Sequence, residues 1–365
     1  MGRRSMGVEE EFLLVDPRDG SVCALAAAAL DRCAKEAESE VEAELQLQQI
    51  ETNTEPCISL SDLGRQVRYA RGRAAKAARS VGAEIAAMAT SALPAETSIT
   101  PSRRYQRMRE RFGLMAEEQL TCGCHIHVGV ESDEEGVAVL DRIRPWLPPL
   151  LALSANSPFW QGKDSAYASY RAQVWTRWPS AGPTELFGSA ETYHDTVRAM
   201  TETQTVLDTG MIYFDARLSQ SYPTVEIRVA DVCLHPDDAV LLAGLARALV
   251  QTAEREWRNG EAAAPVRLEL LRLAGWRASR SGLEAELLDS RTMRPAPAHA
   301  VIDGLLEHVR DALEDSGDRA EVGELRDALL SRGNGARQQR EIFRESGRLA
   351  DVVAECARRT APSGS

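Results

Sequence analysis

Four short segments alternate with a period of two; three set a mostly apolar face against a charged one, and the fourth aligns acidic residues on one side. If Gly7-Val8-Glu9-Glu10-Glu11-Phe12-Leu13-Leu14 is extended, Val8, Phe12 and Leu14 share a side with Glu10, while Glu9 and Glu11 take the other. In Cys124-His125-Ile126-His127-Val128-Gly129-Val130, Ile126, Val128 and Val130 oppose His125 and His127. In Thr224-Val225-Glu226-Ile227-Arg228-Val229, Glu226 and Arg228 lie opposite Val225, Ile227 and Val229. Glu51-Thr52-Asn53-Thr54-Glu55 precedes Pro56, which disfavours a helix through Glu55; if extended, it aligns Glu51, Asn53 and Glu55. An antiparallel sheet with helices on one face and water on the other accounts for any one of these segments. Together they place carboxylates, imidazoles and an arginine where Lys, Thr and Ser are usual. Such crowded carboxylates destabilise a fold unless cations sit among them. Hard divalent cations prefer carboxylate oxygens, and imidazole can complete the shell. The pattern therefore predicts a sheet face holding two or three Mg²⁺ or Mn²⁺ ions.

The rest of the chain reads as helical. From Ser61, apolar residues at Leu63, Val67, Ala70, Ala74, Ala77, Val81, Ile85 and Met88 keep a period near 3.6, with Arg65, Arg68, Arg71 and Arg79 on other faces. Ser59 or Ser61 can cap that helix. Further helices are expected over roughly 236–257, 298–314, 319–330 and 336–357. The breaks at Pro179–Pro183 and Asn259–Pro265 are weak. Residues 1–365 therefore read as one domain whose C-terminal part is helical from about 236.

Acidic residues outnumber basic ones 55 to 43, for a net charge of −12, and no basic stripe with interleaved aromatics appears. Nucleic acid is therefore not an expected partner. Apolar runs fall far short of the ~20 residues of a membrane helix, and the charges from Arg3 onward predict no signal peptide. Seven cysteines, an odd number in a chain large enough to have a core, argue against a disulfide framework. A cytoplasmic protein with reduced thiols is expected, with small-molecule partners and homo-oligomer formation left open. A phosphate site would have to rely on metal, because neither G-x-x-x-x-G-K-[ST] nor a strand-borne G-x-G-x-x-G is present. No G-x-S-x-G serine elbow is present either.

Six motifs in order carry a resemblance. They are Gly7-Val8-Glu9-Glu10-Glu11, Glu51-Thr52-Asn53-Thr54-Glu55, Gly123-Cys124-His125-Ile126-His127-Val128-Gly129, Ser157-Pro158-Phe159-Trp160-Gln161-Gly162-Lys163, Tyr167-Ala168-Ser169-Tyr170-Arg171 and Thr224-Val225-Glu226-Ile227-Arg228. With them the sequence resembles the glutamate–cysteine ligase type 2 family of ATP-dependent carboxylate–amine ligases, from Gly7 to about Asp231 and weakly through 275–288. The resemblance implies an α+β fold: a curved antiparallel sheet of the glutamine-synthetase and glutamate–cysteine-ligase kind, a funnel with helices on its outer face. It implies metal ligands at Glu9, Glu11, Glu51, Glu55, His125 and Glu226, with His127 as a further candidate on the same strand. It implies that Arg171 and Arg228 contact the amino-acid carboxylate and the transferring phosphoryl group, and that Trp175 lines the amino-acid pocket.

The implied reaction is amide formation with ATP as co-substrate: a carboxylate takes the γ-phosphoryl group, giving an acyl phosphate and ADP, and an amine displaces phosphate. Glutamate and cysteine are the pair of the family's name, and γ-glutamyl transfer to another amine or amino acid would leave the same sequence pattern. No base for the amine proton is evident in the sequence. Arg277, in the stretch 275–283, is a candidate nucleotide contact, although a solvated helix accounts for it equally well. The alternative function is a metal-dependent hydrolase built on His125, His127 and nearby glutamates. Zinc at Cys122-Gly123-Cys124-His125 is disfavoured, because alternation aims the cysteines away from the histidines. Trp146, Trp257 and Trp276 are expected in the core.

Overall fold

Met6–Val15 (β1) is the longest strand of a seven-stranded sheet in the computed structural model, which describes residues 3–35 and 41–361. The other strands are β2 (Val41–Ala43), β3 (Gln49–Asn53), β4 (Glu84–Ala86), β5 (Gly123–Gly129), β6 (Ala216–Leu218) and β7 (Thr224–Asp231). Their order is β2-β3-β1-β5-β7-β6, with β4 on the end of β1, and every pair is antiparallel. The architecture is α+β with an open antiparallel sheet.

The apolar faces predicted by alternation are buried. Val8, Ile126, Val128, Val225 and Ile227 enter one core with Leu241, Leu245 and Leu249 of the helix Pro236–Arg258, while Phe12 and Leu14 enter a second. Each such side chain contributes ~1.5–3 kcal/mol when fully buried, so a one-residue slip of β1 is strongly opposed. Glu10 is the misfit on the apolar face, and the helix Leu60–Ser80 neutralises it. Arg71 donates from Nε to Glu10 Oε2 at 2.8 Å and from Nη2 to Oε1 at 2.5 Å. The same guanidinium donates to the carbonyls of Cys233 (2.7 Å) and Leu234 (3.1 Å). Arg71 is thus in the core, not on an outer helix face as the periodicity suggested.

That helix starts at the expected cap, Ser59, whose side chain accepts from Asp62 N. It ends earlier than the period implied. Gly82 adopts φ +82°, and the Gly82 and Ala83 amides return to the carbonyls of Arg79 and Ala78, closing the helix. Ile85 then belongs to β4. The helix expected over 336–357 is likewise two, Gly335–Ser346 and Leu349–Thr360, divided at Gly347 with φ +69°. That over 298–314 divides into Ala298–His308 and Arg310–Ser316. Trp146 is buried as expected, but Trp276 is 47% exposed on the helix Leu268–Ser281. Among the described side chains, Cys122 and Cys124 are buried core thiols and no cysteine joins a metal-type cluster. No described helix is long and apolar enough to cross a membrane.

Candidate active site

The polar face of the sheet is not open to water. Glu11, His125 and Glu226 are each 5% exposed or less. Register makes Glu9 the cross-strand neighbour of His125, Glu11 that of Glu51, and Glu226 that of both His127 and Arg217. These side chains line a cavity of about 290 Å³ together with Glu44, Tyr213 and Arg228.

Two groups of ligand-type atoms converge there and share one residue: Glu9 with His127 and Glu226, and Glu9 with Glu51 and His125. His125 Nδ1 lies 3.3 Å from Glu9 Oε2, and His127 Nδ1 lies 2.9 Å from the Thr224 hydroxyl. The Nε2 atom of each ring is buried without a hydrogen-bond partner, that of His127 lying 3.1 Å from Glu9 Oε1 but out of alignment. Burial and the nearby Arg228 push His125 down to about 4, so its ring is a neutral potential ligand at pH 7. Burial lifts Glu11 to about 7, with Glu44 adding to the rise, and burial with Glu44, Glu11 and Glu9 lifts Glu51 well above the carboxylate range. Burial also opposes ionisation of Glu9 and Glu226, but the two imidazoles hold Glu9 well below its usual range, and Arg228 and Arg217 hold Glu226 at about 2. Ionised Glu9 and Glu226 beside Glu11 and Glu51, which resist ionisation, together with two imidazole nitrogens that lack hydrogen-bond partners, make a donor set suited to divalent cations.

Arginines close the other side. Arg217 pairs with Glu226 through Nε (2.7 Å) and Nη2 (3.2 Å), and Arg228 Nη1 also binds that carboxylate. Arg171, on the helix Tyr170–Trp175, is 3% exposed. Its amide is tied to Ser157 Oγ at 3.0 Å, and its Nη1 lies 3.9 Å from Asp231, a carboxylate that also accepts from Ser157, Ser169 and the Asn156 amide. The guanidinium crosses β5 at Gly123, where an added Cβ would lie 2.4 Å from Nη2, and the Gly123 amide donates to Glu11 Oε2 at 2.6 Å. Gly123→Ala should therefore displace Arg171 and lower turnover about tenfold or more while leaving the fold assembled. Steady-state kinetics with circular dichroism checks this, and wild-type turnover would show that the close approach is unimportant.

A second cavity, of about 550 Å³, shares Trp175, Tyr213 and Arg228 with the first. Arg171, Asp215, Leu151, Leu271 and Trp276 also line it. Glu9, Glu11, Glu51, His125, His127, Glu226, Arg228 and Trp175 thus meet at the first cavity, and Arg171 joins at the second. Glu55 does not join them. β3 ends at Asn53, the Thr54 hydroxyl accepts from Val8 N, and Cys57 bridges back to Met6, which leaves Glu55 exposed and outside both linings. Arg277 lines neither cavity and lies 3.9 Å from Glu286. Glu44, Asp215 and Arg217 were not anticipated. For the last two the signal was present: Tyr213, Asp215 and Arg217 alternate with Phe214, Ala216 and Leu218.

The sequence profile of Glutamate-cysteine ligase family 2 (GCS2) matches residues 5–355. The chain is 57% identical over 359 residues, 98% of its own length and 99% of the relative's, to a Streptomyces avermitilis protein named "Putative glutamate--cysteine ligase 2-1". A Streptomyces coelicolor protein of corresponding name matches with the same identity and coverage. Among solved structures, a Francisella tularensis glutamate–cysteine ligase in complex with AMP superposes with a TM-score of 0.69 at 12% identity, over 99% of this chain and 89% of that one. A bifunctional glutathione synthetase from Pasteurella multocida gives 0.71 at 16% identity, over 98% and 52%. The expected fold is therefore present, and the chain belongs to glutamate–cysteine ligase family 2.

Proposed function

We propose that the protein is an ATP-dependent carboxylate–amine ligase that forms an amide through an acyl phosphate, of the glutamate–cysteine ligase kind, releasing ADP and phosphate. The observation that carries this reading is the shared wall. Arg228 borders a cavity of carboxylates and imidazoles on one side and a larger, more apolar cavity on the other. That is the placement needed by a group acting where a nucleotide phosphate meets an organic substrate. The name borne by relatives at 57% identity supports the same reading.

Glu9, His127 and Glu226 would hold one divalent cation, and Glu9, Glu51 and His125 a second, with Glu11 and Glu44 beside them. Bound Mg²⁺ or Mn²⁺ supplies charge neutralisation for nucleotide phosphates in a protein of net charge −12. The chain's own residues do the remainder. Arg228 and Arg171 offer planar forks to phosphoryl and carboxylate oxygens, and buried Asp231 fixes Arg171 in place. Trp175 presents its ring to Arg171, whose guanidinium carbon lies 5.7 Å from the ring centroid, and so borders the substrate. No protein nucleophile is needed; catalysis is positioning and electrostatics.

The test is ADP release with Mg²⁺ or Mn²⁺ over a panel of carboxylates and amines that includes glutamate and cysteine. ADP should appear only when both substrates are present. Thermal shift provides the metal arm: Mg²⁺ should stabilise the wild type, and a tenfold weaker affinity in Glu51→Gln should remove about 1.4 kcal/mol of that stabilisation at saturating ion. Turnover of a bound substrate without ATP would favour the hydrolase instead.

A further inference from the structure

Amide formation needs a neutral amine, yet amines arrive at pH 7 as ammonium ions. The group that accepts the proton must lie where the amine approaches the acyl carbon. In the first cavity every carboxylate is bound to arginine, packed against imidazole or crowded by other carboxylates. The larger cavity differs, because Asp215 is the one carboxylate among the residues that line it. Asp215 immediately precedes β6. Its amide donates to Gly182 O at 3.0 Å and its carbonyl accepts from Arg228 N at 2.9 Å. These bonds fix the backbone and aim the side chain to the same face as Arg217 and Tyr213. Among the described residues the carboxylate has no hydrogen-bond or ion-pair partner. Asp231, by contrast, is 0% exposed with three donors on it, so it is committed to structure.

We propose that the larger cavity receives the amine substrate and that Asp215 is the base that takes its proton. The role rests on the ligase reading above. In the step, Asp215 accepts one proton from the ammonium ion, leaving a neutral amine and a protonated carboxyl. The nitrogen lone pair forms the C–N bond to the acyl carbon of the ATP-derived acyl phosphate. The C–O bond to phosphorus breaks, phosphate leaves with that electron pair, and it takes up the second amine proton. Asp215 then returns its proton to solvent.

The electrostatics agree with the geometry. Burial raises the Asp215 carboxyl to about 7, and the positive charge of Arg171 keeps it from rising further. The charged and titratable groups around it are Arg171, Arg228 and Arg272, which line the same cavity from three other elements, and Tyr213 on its own segment. A base with its pKa near the working pH combines availability with driving force. The apolar remainder of the lining (Leu151, Phe214, Leu271 and Trp276 among them) excludes water that would otherwise hydrolyse the acyl phosphate.

The experiment compares wild type and Asp215→Asn with Mg-ATP, L-glutamate and either L-cysteine or hydroxylamine. Hydroxylamine is neutral at pH 7 and attacks acyl phosphates without a base. In the variant, turnover with cysteine should fall about 10²-fold and the acidic limb of its pH profile should flatten, while hydroxamate formation falls less than tenfold. Asparagine has the same shape and no charge to bury, so the melting temperature should hold or rise. Equal losses with both nucleophiles would overturn the assignment, as would a raised KM for cysteine with kcat within about threefold. If the wild type itself forms neither ADP nor hydroxamate, the ligase reading fails and this role falls with it.

Discussion

Arg71→Met is expected to lower the unfolding free energy by about 3–5 kcal/mol, the usual cost of removing one partner of a buried ion pair. Arg71 and Glu10 are 1% and 2% exposed. The substitution strands the Glu10 carboxylate on the apolar face of β1 and removes the donor from the Cys233 and Leu234 carbonyls. Replacing both partners with apolar residues, as in Glu10→Leu with Arg71→Met, should recover much of the loss, because no charge is then left buried. Urea denaturation of the two single variants and the double variant measures this coupling directly. A loss below about 1 kcal/mol in Arg71→Met would mean that Glu10 finds another partner and that the pair is not essential to the core. Turnover of the folded fraction should change little, since Arg71 lies on the opposite side of the sheet from Glu9 and Glu11.

The sheet was legible because a strand exposes its two faces at alternate residues. A run such as His125-Ile126-His127-Val128 therefore states both its period and its chemistry. The same rule exposed Glu10 as a misfit, but its partner lies 61 residues away on a helix, and helical periodicity alone sorts arginines outward. Glu55 shares the face of Glu51 only if the whole segment up to Pro56 stays extended, and β3 ends at Asn53. Proline does disfavour helix before it, but it does not keep the strand in register. The Thr54 hydroxyl takes the Val8 amide and the chain leaves the sheet. Glu44 occupies the first cavity beside Glu51, a position set by how β2 meets β3, where Glu42 opposes Glu51. Nothing local to Glu44 announces that pairing. Apolar neighbours in sequence point Trp276 to the core, yet Leu273 and Trp276 are exposed and line the larger cavity. Helix ends were blurred for a related reason: Gly82 and Gly347 close helices by adopting positive φ, which a hydrophobic period cannot register.

On the ligase reading proposed above, Arg228→Lys should reduce kcat by about 10²–10³, the typical cost of losing one preorganised contact to developing charge. The structure explains why lysine cannot substitute. Arg228 uses Nη1 on Glu226, leaving its other terminal nitrogen without a partner among the described residues, at the wall between the two cavities. A planar fork can hold the carboxylate and present a second donor at a fixed angle, whereas an ammonium is a single point charge that must choose. Glu226 does not depend on Arg228 for neutralisation, because Arg217 already pairs with it through two nitrogens. The variant should therefore fold with near wild-type stability, and its defect should lie in the chemical step. Charge on the transferring group is most concentrated away from the ground state, so the loss belongs in kcat rather than in KM. Steady-state kinetics on ATP and on the carboxylate substrate separate the two. If kcat stays within about threefold while KM rises, Arg228 holds the ground state only, and the transferring group must be stabilised from elsewhere, with Arg104, Arg171, Arg217 and Arg272 the other guanidinia that line the two cavities.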